Sequence, residues 1–361
     1  MILAVETSFD ETAIALVEAG SGRALDHLYS SSAELHERFG GVVPELAARA
    51  HLTNLPPIAR ALKEKHSFNK IELVAATAGP GLPGCLLAGV GFARGLALGL
   101  SVPYSPINHL EGHLLSPFME GSIYRQEGRN EQGEPMGAEE IPFPHLGLIV
   151  SGGHTELVMA EEVGNYRVLG RTRDDAVGEL LDKLGNHLGL GYPAGAKLER
   201  LAHEFLASHQ RLEEALESHP LPVPMRQVAG LDFSFSGLKT AAVRMVERRG
   251  MERVKEELPA FAAALLAACF LSLVERTRLA LREHPVAVVG ISGGVARNQI
   301  LREMIARRLL EEGTVREVRF PSPRLCIDNA TMVGYAAWLR RHTGRLLEDR
   351  DIIPRWRLEE L

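Results

Sequence analysis

His109 and His113 stand four residues apart in NHLEGHLLSP. On a helix that spacing puts two imidazoles on one face, a turn apart, where both can reach a single divalent ion. A zinc peptidase of the HExxH type carries its general base directly after the first histidine. Here the order is H-L-E-G-H, so Glu111 is displaced by one position and projects from another side of the helix. The pair suits a metal better than it suits peptide hydrolysis, and the alternative is two histidines with no ligand near a helix start. A third ligand is available in RLCIDNATM, where Asp328 precedes an apolar helix and would otherwise be read as its cap. Two imidazoles and one carboxylate suit Fe(II) or Zn(II) and leave coordination positions open for a substrate oxygen.

Four turns add polar groups that could meet a phosphate. TSFDET, residues 7–12, packs Asp10 and Glu11 between two strands; alone it reads equally as a surface turn. SGGHT, residues 151–155, has two glycines that let the backbone approach a ligand, although a plain Gly-Gly hairpin explains them too. SGGVARN, residues 292–298, repeats the double glycine after an apolar strand and ends on Asn298, which can cap the next helix with no ligand at all. ELVAATAGPGLPG likewise feeds a glycine turn into a helix, where free N–H groups and the helix dipole favour an anion. Together these turns are expected to converge on one cleft.

The elements that must carry them form a repeated layout. ILAVE, TSFDET, AIALVEA, a GSG turn and ALDHLYSS read as strand, turn, strand, turn, strand. The same order recurs from residue 146 in LGLIV, SGGHT, ELVMAEE, a GN turn and YRVLG. Each set leads into helices: PELAARAHLTNLPPIARALKEKH in the first, DDAVGELLDKLGNHLGL and AKLERLAHEFLASHQRLEEAL in the second. This long-range self-similarity predicts an α/β protein of two related lobes. The first is placed at 1–120 and the second, with a helical insertion, at 142–324. The polar, aperiodic stretch around 121–141 is read as an exposed connecting loop, and residues 325–361 are expected to pack back onto the first lobe, ending in the extended DIIPRWRLEEL.

Composition narrows the classes further. A formal charge of −6 excludes a uniformly basic nucleic-acid coat but leaves room for a local basic face. The clusters RRGMERVK and Arg307–Arg308 read as solvated helix faces. Cys85, Cys269 and Cys326 lie far apart with no CxxC spacing, which argues against a disulfide framework or a thiolate metal site. The amino-terminal MILAVETSFDET lacks the basic start and apolar core of a secretory signal, so a cytoplasmic protein is expected. The apolar runs LAGVGFARGLALGL and FAAALLAACFLSLV fall short of the roughly 20 residues of a membrane span and are read as buried helices.

In chain order, ETSFDET, GGVVPELAARAH, TAGPGLPG, HLEGH, SGGHT, DDAVGELLDK, GYPAG, DFSFSGLKT, SGGVARN and IDNATM closely resemble the motifs of the TsaD family, also called Gcp or YgjD, in its bacterial form. The resemblance runs from Ile2 to the PRWRL of residues 354–358. It implies the actin-like (ASKHA) fold of duplicated RNase H-like domains with an interdomain nucleotide cleft. The implied activity is transfer of a threonylcarbamoyl group from threonylcarbamoyl-AMP to N6 of the adenosine 3′ to the anticodon, in tRNAs reading ANN codons. The family's metal ligands match His109, His113 and Asp328, usually with iron, so Fe(II) is the first choice and Zn(II) the second. Its substrate-contacting positions match Ile149, Val150, Ser151, Gly152, Gly153, Asp182, Gly195 and Asn298, facing an adenine nucleotide, either threonylcarbamoyl-AMP or ATP. Lys239 is implied as a tRNA contact. The resemblance also implies a TsaB-like paralogue and a TsaE-like ATPase as partners, a separate synthase supplying the donor, and no membrane.

Acyl transfer to an exocyclic amine needs a base for the departing proton, and Asp10 or Glu11 is placed for it. Phe9 stands where many relatives carry Cys, Ala194 makes YPAG from the commoner YPGG, and the 120–141 loop is longer than usual. Two other activities remain to be weighed: an actin-like small-molecule kinase, which gives the histidine pair no purpose, and a metallopeptidase, which lacks its glutamate.

Overall fold

Two sheets repeat one topology. The first is formed by β1 (Ile2–Glu6), β2 (Glu11–Val17), β3 (Ala24–Ser31), β4 (Leu73–Gly79) and β5 (Tyr104–Asn108), in the order β3-β2-β1-β4-β5. The second contains β6 (Gly121–Arg125), β7 (Asn130–Gly133), β8 (His145–Val150), β9 (Thr155–Glu162), β10 (Asn165–Arg171), β11 (Val288–Ser292) and β12 (Glu317–Pro321), in the order β10-β9-β8-β11-β12-β6-β7. In each sheet an antiparallel meander comes first, β1/β2/β3 or β8/β9/β10, and its first strand then pairs in parallel with a later one, β4 or β11. The duplication expected from the sequence is therefore present strand for strand. This computed structural model describes residues 1–37, 39, 41–125, 130–137, 139–313 and 315–361.

β1, β4, β8 and β11 are buried along their whole length, because helices cover both sheet faces, and such strands read as continuous apolar runs. Helices Pro44–Lys65 and Pro83–Leu100 lie on one face of the first sheet, and helix Ala330–His342 lies on the other, against β1, β2 and β4. The final segment bridges both lobes. Trp356 is buried among Leu3, Val5 and Val74, whereas Leu358 packs with Ile149, Val158 and Tyr166.

Three readings of the sequence change. The stretch at 121–141 contains β6 and β7, a hairpin added antiparallel to β12, with residues 126–129 and 138 outside the described ones. The helical run read over 196–216 ends at Leu206, where the Phe205 carbonyl accepts from the Ser208 N–H and lies 2.9 Å from a ring nitrogen of His209. The two apolar runs become helices Pro83–Leu100 and Leu258–Glu283, and both are long and apolar enough to cross a membrane. The second is the core of its lobe, with 72% of its most apolar window buried; the first has only 39% buried and leaves Leu87 and Leu98 in solvent.

Candidate active site in the interlobe cleft

Asn108 ends β5 and caps helix His109–Leu115, its side chain accepting from Leu110 N at 2.9 Å and Glu111 N at 3.3 Å. This start aims His109 and His113, both almost fully buried, at Asp328. Asn329 caps helix Ala330–His342 by accepting from Met332 N, so Asp328 is not needed as the cap. Its Oδ1 lies 3.0 Å from His113 Nε2 and 3.5 Å from His109 Nε2. One ligand atom from each residue falls within 4.8 Å of the others.

A further carboxylate sets the first ring. His109 Nδ1 is 3.1 Å from Ser8 Oγ and 3.3 Å from Glu6 Oε2, and Glu6 is itself buried, accepting from Ser8 N and Thr77 Oγ1 at 2.5 Å each. A carboxylate on the far nitrogen orients a ligating imidazole and leaves Nε2 for the metal. Burial alone would raise the Asp328 carboxyl, but the adjacent histidines hold it at about 2. Burial would lower His109, yet Asp328 and Glu6 hold it up at about 9. The buried Glu6 and the partly exposed Asp328, set around two histidines, make an electrostatic basin for a cation. His113 Nδ1 is buried with no hydrogen-bond partner among the described residues, and Nε2 is the nitrogen that His113 turns toward Asp328. The donor set and its surroundings fit one divalent ion.

Glu111 faces away, as its displaced position predicts. It accepts from Tyr166 Oη at 2.8 Å and from Arg340 Nε at 2.6 Å.

The metal-ligand cluster opens into a cleft of about 600 Å³ between the lobes. Asp10 and Glu11 line it from the β1–β2 turn, opposite Ser151, Gly152 and Gly153 of the β8–β9 turn. The pKa of Glu11 is raised well above that of an ordinary carboxylate, first because it is buried and then because Asp10, Asp328 and Glu6 crowd it with negative charge. The β8–β9 turn is closed by its own serine, whose N–H donates to His154 O at 2.8 Å and whose Oγ accepts from His154 N at 3.0 Å. Gly178 packs beneath it: a Cβ there would lie 2.6 Å from Ser151 O.

The remaining expected contacts divide. Asp182 lines the cleft, but its Oδ1 also accepts from Ala194 N at 2.8 Å and so fastens the GYPAG loop. Burial raises its pKa, and the N–H groups of Ala194 and Gly195 oppose that rise. Ile149 and Val150 bury their side chains in two different cores, leaving only their backbone to a ligand. Gly195 begins helix Gly195–Leu206, and Asn298 caps helix Gln299–Leu310, accepting from Leu301 N at 3.0 Å; neither contributes to the cleft wall.

Sequence reasoning missed Glu6, whose only signal was an acid closing an apolar strand, and the cleft-lining Tyr192 and Lys183. It left His154 of SGGHT without a role. That ring lies 6.4 Å from His109, its pKa is pushed down to about 3 by burial, and its Nδ1 is buried and unpartnered among the described residues. Two motifs prove to be fastened to each other. Asp174 accepts from Ser234 Oγ, Phe235 N and Ser236 Oγ, and Asp175 accepts from Lys183 and Lys239, which joins DDAVGELLDK to DFSFSGLKT.

Residues 23–335 match the family described as TsaD: tRNA N6-adenosine threonylcarbamoyltransferase. Among curated relatives of that name, one from Thermus thermophilus is 42% identical over 345 residues, covering 95% of this chain and 94% of the relative. One from Anaeromyxobacter sp. is 42% identical and covers 99% of both chains. Among solved structures, HypF from T. kodakarensis superposes with a TM-score of 0.57 at 15% identity, covering 96% of this chain and 48% of HypF, a likeness of fold.

Proposed function

Because this chain belongs to the TsaD family of tRNA N6-adenosine threonylcarbamoyltransferases and shares its duplicated actin-like fold, we propose that this acyltransferase moves a threonylcarbamoyl group from threonylcarbamoyl-AMP to N6 of the adenosine 3′ to the anticodon in tRNAs reading ANN codons. The observation that carries the reading is one cleft holding, together, the His109–His113–Asp328 cluster, the Asp10–Glu11 pair and the Ser151–Gly153 turn.

The reaction makes a bond from N6 to the carbamoyl carbon and breaks that carbon's bond to phosphate oxygen, with AMP leaving on the electron pair. The glycines of the β8–β9 turn expose backbone N–H groups suited to the adenylate phosphate, and Asp182 borders the space left for the nucleoside. Asp10 accepts the proton lost by N6, while Glu11, whose pKa burial and the neighbouring carboxylates raise, stands beside it on the same wall of the cleft. A divalent ion held by His109, His113 and Asp328, Fe(II) before Zn(II), supplies Lewis-acid charge to phosphate or carbonyl oxygens when bound. Ile149, Val150, Gly195 and Asn298 act through backbone or by fixing the loops around the nucleotide.

The enzyme acts in the cytoplasm with a TsaB-like paralogue and a TsaE-like ATPase, on a donor made by a separate synthase. Peptide hydrolysis finds no support, since Glu111 is engaged by Arg340 and Tyr166. The test is incubation with threonylcarbamoyl-AMP and unmodified tRNA, with the partners added, followed by mass spectrometry of the nucleosides. Modified adenosine and stoichiometric AMP support the reading; unmodified adenosine under all these conditions overturns it.

A further inference from the structure

A second cavity, of about 220 Å³, lies beside the first and is built by the final segment of the chain. In PRWRL, residues 354–358, Trp356 and Leu358 are each 1% exposed, while Arg355 and Arg357 point to solvent. The segment is stitched to the active-site elements. Ile353 N donates to Ala78 O at 2.7 Å, Gly81 N to Pro354 O at 3.2 Å, and Asn108 Nδ2, on the residue that caps the histidine helix, to Trp356 O at 3.2 Å. The two buried anchors therefore fix where the arginine stems emerge.

Charge in this groove is unbalanced. Arg171 is neutralised by Glu359, 2.5 Å away, but among the described residues neither Arg355 nor Arg357 forms an ion pair. The other carboxyl on the groove, Glu156, has its pKa lifted to about 7, chiefly by burial, so it cancels only part of their charge. The inner wall is His154, whose ring stands between this groove and His109, with its buried Nδ1 unpartnered. Two exposed guanidiniums two residues apart on the rim, with His154 on the inner wall, suit successive phosphates of an extended polyanion.

We propose that this groove holds backbone phosphates of the RNA strand flanking the reacting adenosine, with Arg355 and Arg357 as the phosphate contacts and His154 at the end nearest the reaction. The inference rests on RNA being the substrate. The same guanidiniums could instead take the carboxylate of the small donor, and the experiment separates these sources.

Arg355→Gln/Arg357→Gln is made in the full chain, and binding of an anticodon stem-loop carrying the target adenosine is followed by fluorescence anisotropy across a salt series. Removing two phosphate contacts should weaken binding by roughly tenfold or more and lower the slope of log affinity against log salt by about two. Metal content, melting temperature and affinity for threonylcarbamoyl-AMP should not change, since both side chains are exposed and neither forms an ion pair among the described residues. Wild-type affinity and slope in the double variant overturn the proposal. So does weakened donor binding with RNA binding intact, which assigns the groove to the donor carboxylate. If the wild-type chain fails to bind the stem-loop at any salt, the substrate reading falls along with the groove.

Discussion

Glu111 and Arg340 form an ion pair in full burial: the two residues are 0% and 1% exposed, and Arg340 Nε donates to Glu111 Oε2 at 2.6 Å. The glutamate that HLEGH displaces from the catalytic position of a zinc peptidase is thus a structural link between the histidine helix and the helix that follows Asp328. Removing one partner of such a pair leaves an uncompensated buried charge. Glu111→Ala should lower unfolding free energy by about 3–5 kcal/mol, read from urea denaturation, whereas Glu111→Gln, which still accepts from Tyr166, should cost less. Metal content and transfer activity per folded molecule should be preserved. Loss of activity from folded, metal-loaded Glu111→Gln would return Glu111 to the chemistry.

The metal cluster predicts a graded response. His113→Ala and Asp328→Asn each remove a ligand and should reduce bound iron or zinc, measured by plasma mass spectrometry, to background, and a chelator should do the same to the wild type. Glu6→Gln leaves all three ligands but loosens the ring of His109. It should weaken metal affinity by about 10- to 100-fold without changing stoichiometry at saturating metal. An unchanged affinity would mean that Ser8 alone orients the ring.

What could be read from the sequence follows from how locally each feature is encoded. The two central strand sets were legible because β1, β4, β8 and β11 are buried on both faces and so are written as unbroken apolar runs. The hairpin β6–β7 was not, since it is a polar edge addition in which GSIYR and NEQG carry little alternation. His109 and His113 announced themselves by spacing. Asp328 lies 215 residues beyond His113, and only its chemistry and the family resemblance joined it to them. The arginine groove was invisible because burial of Trp356 and Leu358 depends on β4 and β9, elements far away in the chain.

Gly178 tests how tightly the phosphate-facing turn is held. Its N–H donates to Ser151 O at 3.2 Å, and a methyl group there would press on that oxygen from 2.6 Å. Because the neighbour is backbone, it yields only by moving the turn. Gly178→Ala should weaken donor affinity by roughly tenfold and cost about 1–3 kcal/mol of stability, the usual range for overpacking. Titration calorimetry with threonylcarbamoyl-AMP checks the first and thermal denaturation the second. An intact affinity at reduced stability would show that the turn does not touch the donor.

His145 gives the fold an acid-sensitive point remote from the reaction. Its ring is fully buried between Phe118 and Phe143, with centroids 4.5 and 5.1 Å away, and Nδ1 donates to Pro142 O at 3.0 Å. Burial pushes its pKa down to about 4 and the Pro142 carbonyl opposes this only in part. In the unfolded chain the same ring titrates near 6.5. Above that pH both states are neutral and the residue's contribution is complete. As pH falls from about 6.5 to about 4, the unfolded state takes up a proton that the folded state refuses, and stability drops by about 1.4 kcal/mol per pH unit, roughly 3 kcal/mol in all. His145→Phe removes this titration at the cost of one hydrogen bond, about 1 kcal/mol. The variant should therefore be slightly less stable than wild type near pH 7.5 and equal or more stable near pH 5 in urea unfolding. The other acid-sensitive groups are common to both proteins and cancel in the difference. Parallel stability curves across this window would show that the buried imidazole is protonated in the folded state as readily as in the unfolded one.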